Sequence, residues 1–161
     1  MWACTAVPGL CRTASRAETT ELVQHALRSE LAKYGDSLIG LSCIADGADA
    51  LFARAVLDQG GSLIVIVPAV NYREKLPEEH HADYDELFSR ASEIIQLDFP
   101  DSTSESHMTA SVKVIELADR LVAVWDGKPA RGYGGTADVV DAARERDLPV
   151  TVIWPDGAER D

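Results

Sequence analysis

Residues 121–140 read Leu-Val-Ala-Val-Trp-Asp-Gly-Lys-Pro-Ala-Arg-Gly-Tyr-Gly-Gly-Thr-Ala-Asp-Val-Val. The first five, Leu121 to Trp125, are a short apolar run that predicts a strand buried on both faces. The next ten are interrupted by glycines and a proline, which is the composition of a loop. From Thr136 onward the apolar residues recur at helical spacing. The stretch therefore predicts a strand, a glycine loop and a helix with Thr136 as its N-cap.

Such a loop is suited to binding an anion. The first N–H groups of a helix have no partner within the helix, and the helix dipole is positive at that end. Gly134, Gly135 and Thr136 stand at this point, and Lys128 and Arg131 add two cations. We interpret the loop as the phosphate end of a site for a nucleotide-type ligand. The alternative is a glycine turn that only lets the helix pack closely on the strand.

The rest of the chain alternates between strand-like apolar runs and helical segments. Ser62 to Val67 is the clearest buried strand, and Ala17 to Tyr34 is a clear amphipathic helix closed by Gly35. This alternation predicts a three-layer α/β/α fold with a mainly parallel sheet, in which ligands bind beyond the carboxyl ends of the strands. The residues expected in the core are Leu63, Val65, Val67, Val122, Val124, Val150 and Val152.

Two other turns are expected to open on the same edge of the sheet. One is the turn from Pro8 to Arg12, and the other covers residues 42–49. In the second turn Gly47 allows a close approach of the backbone. Asp49 either caps the following helix or accepts a hydrogen bond from a ribose hydroxyl. Arg12, Gly47 and Asp49 are therefore candidate ligand-binding residues.

Length, charge and cysteine content limit the class of protein. A chain of 161 residues is most simply one domain, residues 1–161, with a polar tail from about residue 156. The net charge of −12 argues against nucleic acid as a partner, but it does not exclude a small anion. No apolar run predicts a membrane span, and the N-terminus lacks the basic region of a secretory signal. Three cysteines without zinc spacing suit the cytoplasm, where we place the protein.

A metal site is not expected. His80 and His81, with Asp83 and Asp85, contain metal-ligating groups, and His81 and Asp85 are spaced to share a helix face. No cysteine or third histidine follows at a matching distance, so we expect a solvated helix start without a bound metal. No cofactor is indicated either.

A nucleophilic site around His107 is also not expected. Ser104 and Ser106 stand close to this histidine, which invites comparison with serine hydrolases. The chain has no Gly-x-Ser-x-Gly elbow, however, and serines before a helix are usually caps.

Several segments resemble one known superfamily. Residues 44–55 read Ile-Ala-Asp-Gly-Ala-Asp-Ala-Leu-Phe-Ala-Arg-Ala, and residues 60–68 read Gly-Gly-Ser-Leu-Ile-Val-Ile-Val-Pro. Later come Ala-Asp-Arg-Leu-Val-Ala-Val-Trp-Asp-Gly at 118–127 and Gly-Gly-Thr-Ala-Asp at 134–138. These segments resemble the SLOG superfamily, a Rossmann-like group that contains DprA, the LOG phosphoribohydrolases and the cytosolic ligand domains of TRPM channels. The resemblance covers about Ser37 to Trp154, whereas the first strand is poor and Arg12 matches only loosely.

The resemblance implies a Rossmann-like fold and a nucleotide or nucleotide-derived ligand. On this basis Gly47 and Asp49 lie near the sugar, while Gly134, Gly135 and Thr136 hold the phosphate. We therefore expect a binding or sensor protein for a nucleotide-like small molecule. A homodimer is possible, because exposed faces of such domains often pair.

Catalysis is left open by one departure from the LOG pattern. LOG enzymes carry Pro-Gly-Gly-x-Gly-Thr-x-x-Glu, and counting from Thr136 places Val139 at the position of the catalytic glutamate. Asp138 lies one residue earlier, about 100° around the helix. The alternative function is therefore an N-glycosidic hydrolase of nucleoside monophosphates, with Asp138, Asp49 or Asp46 as its carboxylate.

Overall fold

The structure is a computed structural model that describes residues 2–5 and 14–159, with the backbone alone described at 2–5, 14–16 and 36. The strands are β1 Trp2–Thr5, β2 Ile39–Ser42, β3 Ser62–Val67, β4 Glu93–Gln96, β5 Arg120–Val124 and β6 Val150–Ile153. The helices are α1 Ala14–Leu31, α2 Ala48–Asp58, α3 Tyr72–Lys75, α4 His81–Ser89, α5 Ser104–Leu117 and α6 Thr136–Arg144. Short 3₁₀ segments cover Ala32–Ser37 and Glu78–His80.

The strands form one sheet in the order β4-β3-β2-β1-β5-β6, and every pairing in the described part of the chain is parallel. Ala3 of β1 pairs with Leu41 of β2 on one side and with Leu121 of β5 on the other. Strands β1 to β4 thus follow one another toward one edge of the sheet, and β5 then lies on the other side of β1. The strand order reverses between β1 and β5, which is where ligands bind in open sheets of this class.

Helices cover both faces of the sheet, so the predicted three-layer α/β/α architecture is confirmed. Leu121 and Ala123 of β5 face α5 and α6, where they pack with Val114 and Val140 among others. Val122 and Val124, the alternate residues, belong to the opposite cluster with α1 and α2. This alternation is what a strand buried on both faces requires, because successive side chains point to opposite sides.

The predicted core is correct except in the last strand. Leu63, Val65, Val67, Val122 and Val124 are buried. Val150 is only partly buried and Val152 is 44% exposed, so placing Val152 in the core was wrong. The reason is topological, because β6 is an edge strand of the sheet and only its β5 side is paired.

No helix in the described ranges is long and apolar enough to span a membrane.

Candidate functional site

The loop from 125 to 135 connects β5 to α6 at the reversal point of the sheet. Strand β5 ends at Val124 and is paired with β1 along its length, so the loop leaves the carboxyl edge beside β1. The Trp125 side chain stabilises the loop, because its Nε1–H donates a hydrogen bond of 2.8 Å to the Lys128 carbonyl. The Arg144 guanidinium lies 5.8 Å from the Trp125 ring centroid, so Trp125 also links the loop to the end of α6.

The glycines form a tight turn immediately before the helix. The Gly135 N–H donates to the Gly132 carbonyl at 3.2 Å, which closes a four-residue turn with Tyr133 and Gly134 at its centre. Gly134 has a φ of 83°, a conformation that L side chains rarely adopt and that turns with a left-handed third residue require. A Cβ on Gly134 would also lie 3.2 Å from the Ser104 carbonyl oxygen. Both properties demand glycine at position 134.

The Asp138 carboxylate reaches back from the first turn of α6 to this turn. Its Oδ2 accepts a 2.8 Å hydrogen bond from the Gly134 N–H. The N–H groups of Gly134 and Gly135, which the sequence assigned to an anion, thus have partners within the loop. Their use by a ligand would require an exchange of these hydrogen bonds.

Thr136 is the first residue of α6, and the prediction that it is the N-cap was wrong. Gly135 takes the N-cap position in an extended conformation, and the first helical bond runs from the Val139 N–H to its carbonyl. Thr136 is 4% exposed, and its hydroxyl oxygen has no hydrogen-bond partner. Within the described ranges the backbone N–H groups of Thr136 and Ala137 have none either. A buried hydroxyl and free N–H groups therefore meet at the positive end of the helix.

The two predicted cations lie on this loop in different electrostatic situations. The Lys128 Nζ is 3.6 Å from Oδ2 of Asp126, a side chain that is 4% exposed. The other carboxylate oxygen of Asp126 accepts the Lys128 backbone N–H at 3.0 Å. Arg131 is exposed and forms no ion pair with any described residue. The charge of Lys128 is therefore partly balanced, whereas that of Arg131 is available.

A cleft of about 220 Å³ opens between this loop and the start of α5. It is lined by the following residues of the loop and of the two helices: Ser104, His107, Trp125, Lys128, Ala130, Arg131, Gly132, Tyr133, Gly134, Gly135, Thr136 and Ala137. The candidate residues Lys128, Arg131, Gly134, Gly135 and Thr136 thus share one cleft.

The sequence did not indicate that His107 would line this cleft. Its Nε2 lies 2.7 Å from the hydroxyl of Ser102, not of Ser104 or Ser106. Partial burial lowers the pKa of His107. Helix α5 brings the imidazole to the loop because α5 packs beside α6 on the same face of the sheet, a contact between segments distant in sequence.

Gly47 and Asp49 lie at the carboxyl end of β2 and do not line the cleft. Gly47 has a φ of 97° and is the N-cap of α2. Asp49 is 6% exposed, and one of its carboxylate oxygens has no hydrogen-bond partner in the part of the chain that the structure describes. Burial raises the pKa of Asp49 to about 7, against the opposing effect of a hydrogen bond from the Ala45 backbone. Arg12 lies outside the described residues.

The turn at residues 42–49 also contains a feature that the sequence does not indicate. Ile44 has a φ of 48°, although it is β-branched and fully buried. The buried His80 fixes it, because its Nε2 lies 2.9 Å from the Ile44 carbonyl oxygen. His81 likewise places its Nε2 3.1 Å from the Leu76 carbonyl oxygen. Both rings thus bond to backbone carbonyls, and the described residues contain no cluster of three potential metal ligands.

The protein is similar to known proteins in its structure. No model of a known protein family matches the sequence, and no curated protein matches it. The crystal structure of TM1055 is similar, with a TM-score of 0.59 and 18% identity, over 92% of this chain and 71% of that protein. DNA processing protein A (DprA) from Streptococcus pneumoniae gives a TM-score of 0.60 at 16% identity, over 97% of this chain. The protein of that name from Helicobacter pylori gives 0.58 at 19%, over 96% of this chain.

The chain spans about half of the length of the Streptococcus pneumoniae protein (52%) and 66% of the Helicobacter pylori protein. The structure of the latter concerns its single-stranded DNA binding mode. This finding corrects the expectation that nucleic acid is excluded as a partner. A net charge of −12 does not exclude nucleic acid, because net charge is a sum over the chain, whereas binding depends on the local field.

These similarities confirm the expected fold: the chain has the Rossmann-like fold of TM1055 and of DNA processing protein A, in agreement with its resemblance to the SLOG superfamily.

Proposed function

We propose that this protein binds a nucleotide or nucleotide-derived small molecule, with the ligand's phosphate at the start of α6, and that it acts as a binding or sensor protein. The observation that supports this proposal most is at Thr136, a residue of the cleft lining whose buried hydroxyl has no hydrogen-bond partner among the described residues. A buried polar group without a partner costs about 1–3 kcal/mol. A phosphate oxygen next to Thr136 would remove that cost.

The surrounding groups fit an anion in the same place. The free N–H groups of Thr136 and Ala137 are donors at the positive end of a helix dipole. Arg131 adds an unbalanced guanidinium, which suits phosphate oxygens because it can donate two parallel hydrogen bonds. Among the described residues, Asp138 is the carboxylate that hydrogen-bonds to the turn, through the Gly134 N–H. A phosphate therefore contacts the Thr136 side of the turn and not that carboxylate, which lies beside it at the Gly134 N–H.

The cleft volume favours a small ligand. About 220 Å³ is less than the roughly 300–1,000 Å³ of pockets that enclose drug-sized ligands. Such a cleft holds the phosphate and sugar of a mononucleotide, and not a whole dinucleotide.

The hydrolase alternative has less support. An N-glycosidic hydrolase needs a carboxylate beside the bond that is broken. Asp138 does not line the cleft, and its Oδ2 is engaged by the Gly134 N–H. Asp49 does not line the cleft either. The described residues that line the cleft include no carboxylate, and its charged side chains are the cations Lys128 and Arg131, which can bind a phosphate without cleaving the ligand.

Single-stranded DNA is a second candidate ligand, favoured by the DNA binding of the Helicobacter pylori protein with the same fold. Phosphate-binding donors with aromatic residues beside them also suit a single strand. A single strand would extend well beyond the 220 Å³ cleft, so a preference for short ligands separates the two candidates.

Calorimetry with paired ligands tests the proposal. Nucleoside monophosphates, the matching nucleosides and an oligothymidylate are titrated into the wild-type protein and into Thr136→Val. We expect a monophosphate to bind at least tenfold more tightly than its nucleoside, and Thr136→Val to remove most of that difference.

Thr19→Val is the matched control. Thr19 is similarly buried, but its hydroxyl already accepts the Glu159 N–H at 3.1 Å, and Thr19 does not line the cleft. Affinity should be unchanged in this variant. Equal binding of nucleotide and nucleoside would refute the proposal. Release of free base from a monophosphate, abolished by Asp138→Asn, would establish the hydrolase instead.

A further inference from the structure

Tyr133 is a large aromatic side chain exposed at the mouth of the cleft. It is 68% exposed and belongs to the lining of the cleft. None of the aromatic contacts among the described residues involves it. A tyrosine that contributes this little to packing leaves one face of its ring available to a ligand.

The backbone that carries Tyr133 is held by two hydrogen bonds. Tyr133 follows Gly132 in the turn that the Gly135 N–H closes onto the Gly132 carbonyl. The next N–H, that of Gly134, is held by Asp138 at 2.8 Å. A ring on such a turn keeps its position relative to the start of α6, so less conformational entropy is lost when a ligand stacks on it.

The position of Tyr133 matches the part of a nucleotide that the cleft leaves outside. Thr136 and the first N–H groups of α6 lie only three residues further along the chain. With the phosphate there and the sugar in the remaining volume, the base projects over the rim of the cleft. A planar base and an exposed aromatic ring then meet by stacking, which occurs with every base because each has a π-face.

We propose that Tyr133 is the base-stacking residue of this site, so that the ligand is a nucleobase joined to a phosphate through one sugar. This inference rests on the proposed function of the cleft, but it adds a separate requirement. The ligand must carry an aromatic ring, and a sugar phosphate alone binds less tightly.

The test is a set of ligands measured against a set of variants. Ribose 5-phosphate and the four common ribonucleoside monophosphates are titrated into wild type, Tyr133→Ala, Tyr133→Leu and Tyr133→Phe. We expect the tightest monophosphate to lose about tenfold in affinity in Tyr133→Ala and to keep its affinity in Tyr133→Phe. Tyr133→Leu retains apolar area without a ring, and it should behave like Tyr133→Ala. Ribose 5-phosphate should bind all four proteins equally.

The outcomes separate this inference from the proposal on which it rests. If ribose 5-phosphate binds and Tyr133→Ala changes the affinity of no nucleotide, stacking is refuted while the phosphate site stands. If neither ribose 5-phosphate nor any monophosphate binds the wild type, the phosphate site itself is refuted, and stacking with it.

An oligothymidylate is titrated into the same proteins as a further test. Tighter binding of the oligomer with the same dependence on Tyr133 would confirm stacking and assign the base to single-stranded nucleic acid. Unchanged thermal stability of Tyr133→Ala confirms that the variant is folded.

Discussion

The Asp138 carboxylate accepts a hydrogen bond of 2.8 Å from the Gly134 N–H, four residues before it in the chain. This bond ties the first turn of α6 to the glycine turn in front of it. It also places a negative charge beside the donors that we assign to a phosphate. Asp138 therefore has two opposite effects: it stabilises the helix start and weakens anion binding.

Asp138→Asn should strengthen phosphate binding and weaken the fold slightly. An amide oxygen can still accept the Gly134 N–H, but the charge that repels a phosphate is gone. We expect a several-fold gain in nucleotide affinity at low salt that shrinks as salt is added. The free energy of unfolding should fall by about 0.3–1 kcal/mol, the usual value of a carboxylate at a helix N-terminus.

Asp141→Asn is the control for net charge. Asp141 is on the same helix, exposed and 3.8 Å from Arg144, away from the helix start. The Asp141→Asn substitution should leave the nucleotide affinity nearly unchanged. A loss of affinity in Asp138→Asn would show that this carboxylate itself contacts the ligand, contrary to our assignment.

Gly134→Ala and Gly132→Ala should differ in stability although they alter the same loop. Gly134 has a φ of 83° and its Cβ would crowd the Ser104 carbonyl at 3.2 Å. We expect a loss of about 1–2 kcal/mol in the free energy of unfolding, measured in urea. A Cβ on Gly132 meets no atom within 4 Å, so Gly132→Ala should change stability little. Equal effects of the two substitutions would mean that the turn is not held in this conformation.

Thr136→Val and Thr19→Val should also differ in stability. The Thr136 hydroxyl is buried without a partner, so its removal should leave the free energy of unfolding unchanged or raise it. Removal of the Thr19 hydroxyl takes away the acceptor of the Glu159 N–H and should cost about 1 kcal/mol. Urea unfolding of the two variants without ligand measures these changes in the free energy of unfolding. A large loss in Thr136→Val would show that its hydroxyl has a stabilising partner.

Asp49 should make stability depend on pH. Its pKa is raised from 3.8 to about 7 by burial, so between about pH 4 and 7 the folded state holds a proton that the unfolded state has released. The free energy of unfolding therefore falls as the pH rises through this range and levels off above it. Each pKa unit corresponds to about 1.4 kcal/mol, so the effect amounts to a few kcal/mol.

Asp49→Asn removes the titrating group but keeps the shape of the side chain. Urea unfolding at a series of pH values should show a flatter profile between pH 4 and 7 in this variant, and greater stability than wild type at pH 8. Parallel profiles for the two proteins would contradict a raised pKa for Asp49.

The sequence predicted those parts of the fold that depend on local pattern. Ser62–Val67 was predicted with both bounds correct, because an uninterrupted run of apolar residues between a glycine pair and a proline has few other conformations. The parallel sheet and the glycine loop after β5 followed from the alternation of elements. These features need no knowledge of which segments meet in space.

Where the sequence misplaced a structural feature, the cause is the surroundings of the residue in the fold. Val152 resembles a core residue but lies on an edge strand, which only the sheet order reveals. Thr136 is a favoured N-cap residue, yet Gly135 takes that position because the preceding turn leaves it extended. His107 lines the cleft only because α5 packs beside α6. The left-handed Ile44, held by His80, has no sequence signal at all.

Backbone amide chemical shifts during titration with a nucleoside monophosphate test the central claim most directly, because they locate the ligand as well as detect it. We expect the largest shifts at the amides of Thr136 and Ala137, with smaller changes at the glycine turn. Thr136→Val should reduce these shifts at the same ligand concentration. Shifts centred elsewhere, such as the groove between α1 and β6 lined by His25 and Trp154, would contradict the account, as would the absence of any shift at saturating nucleotide.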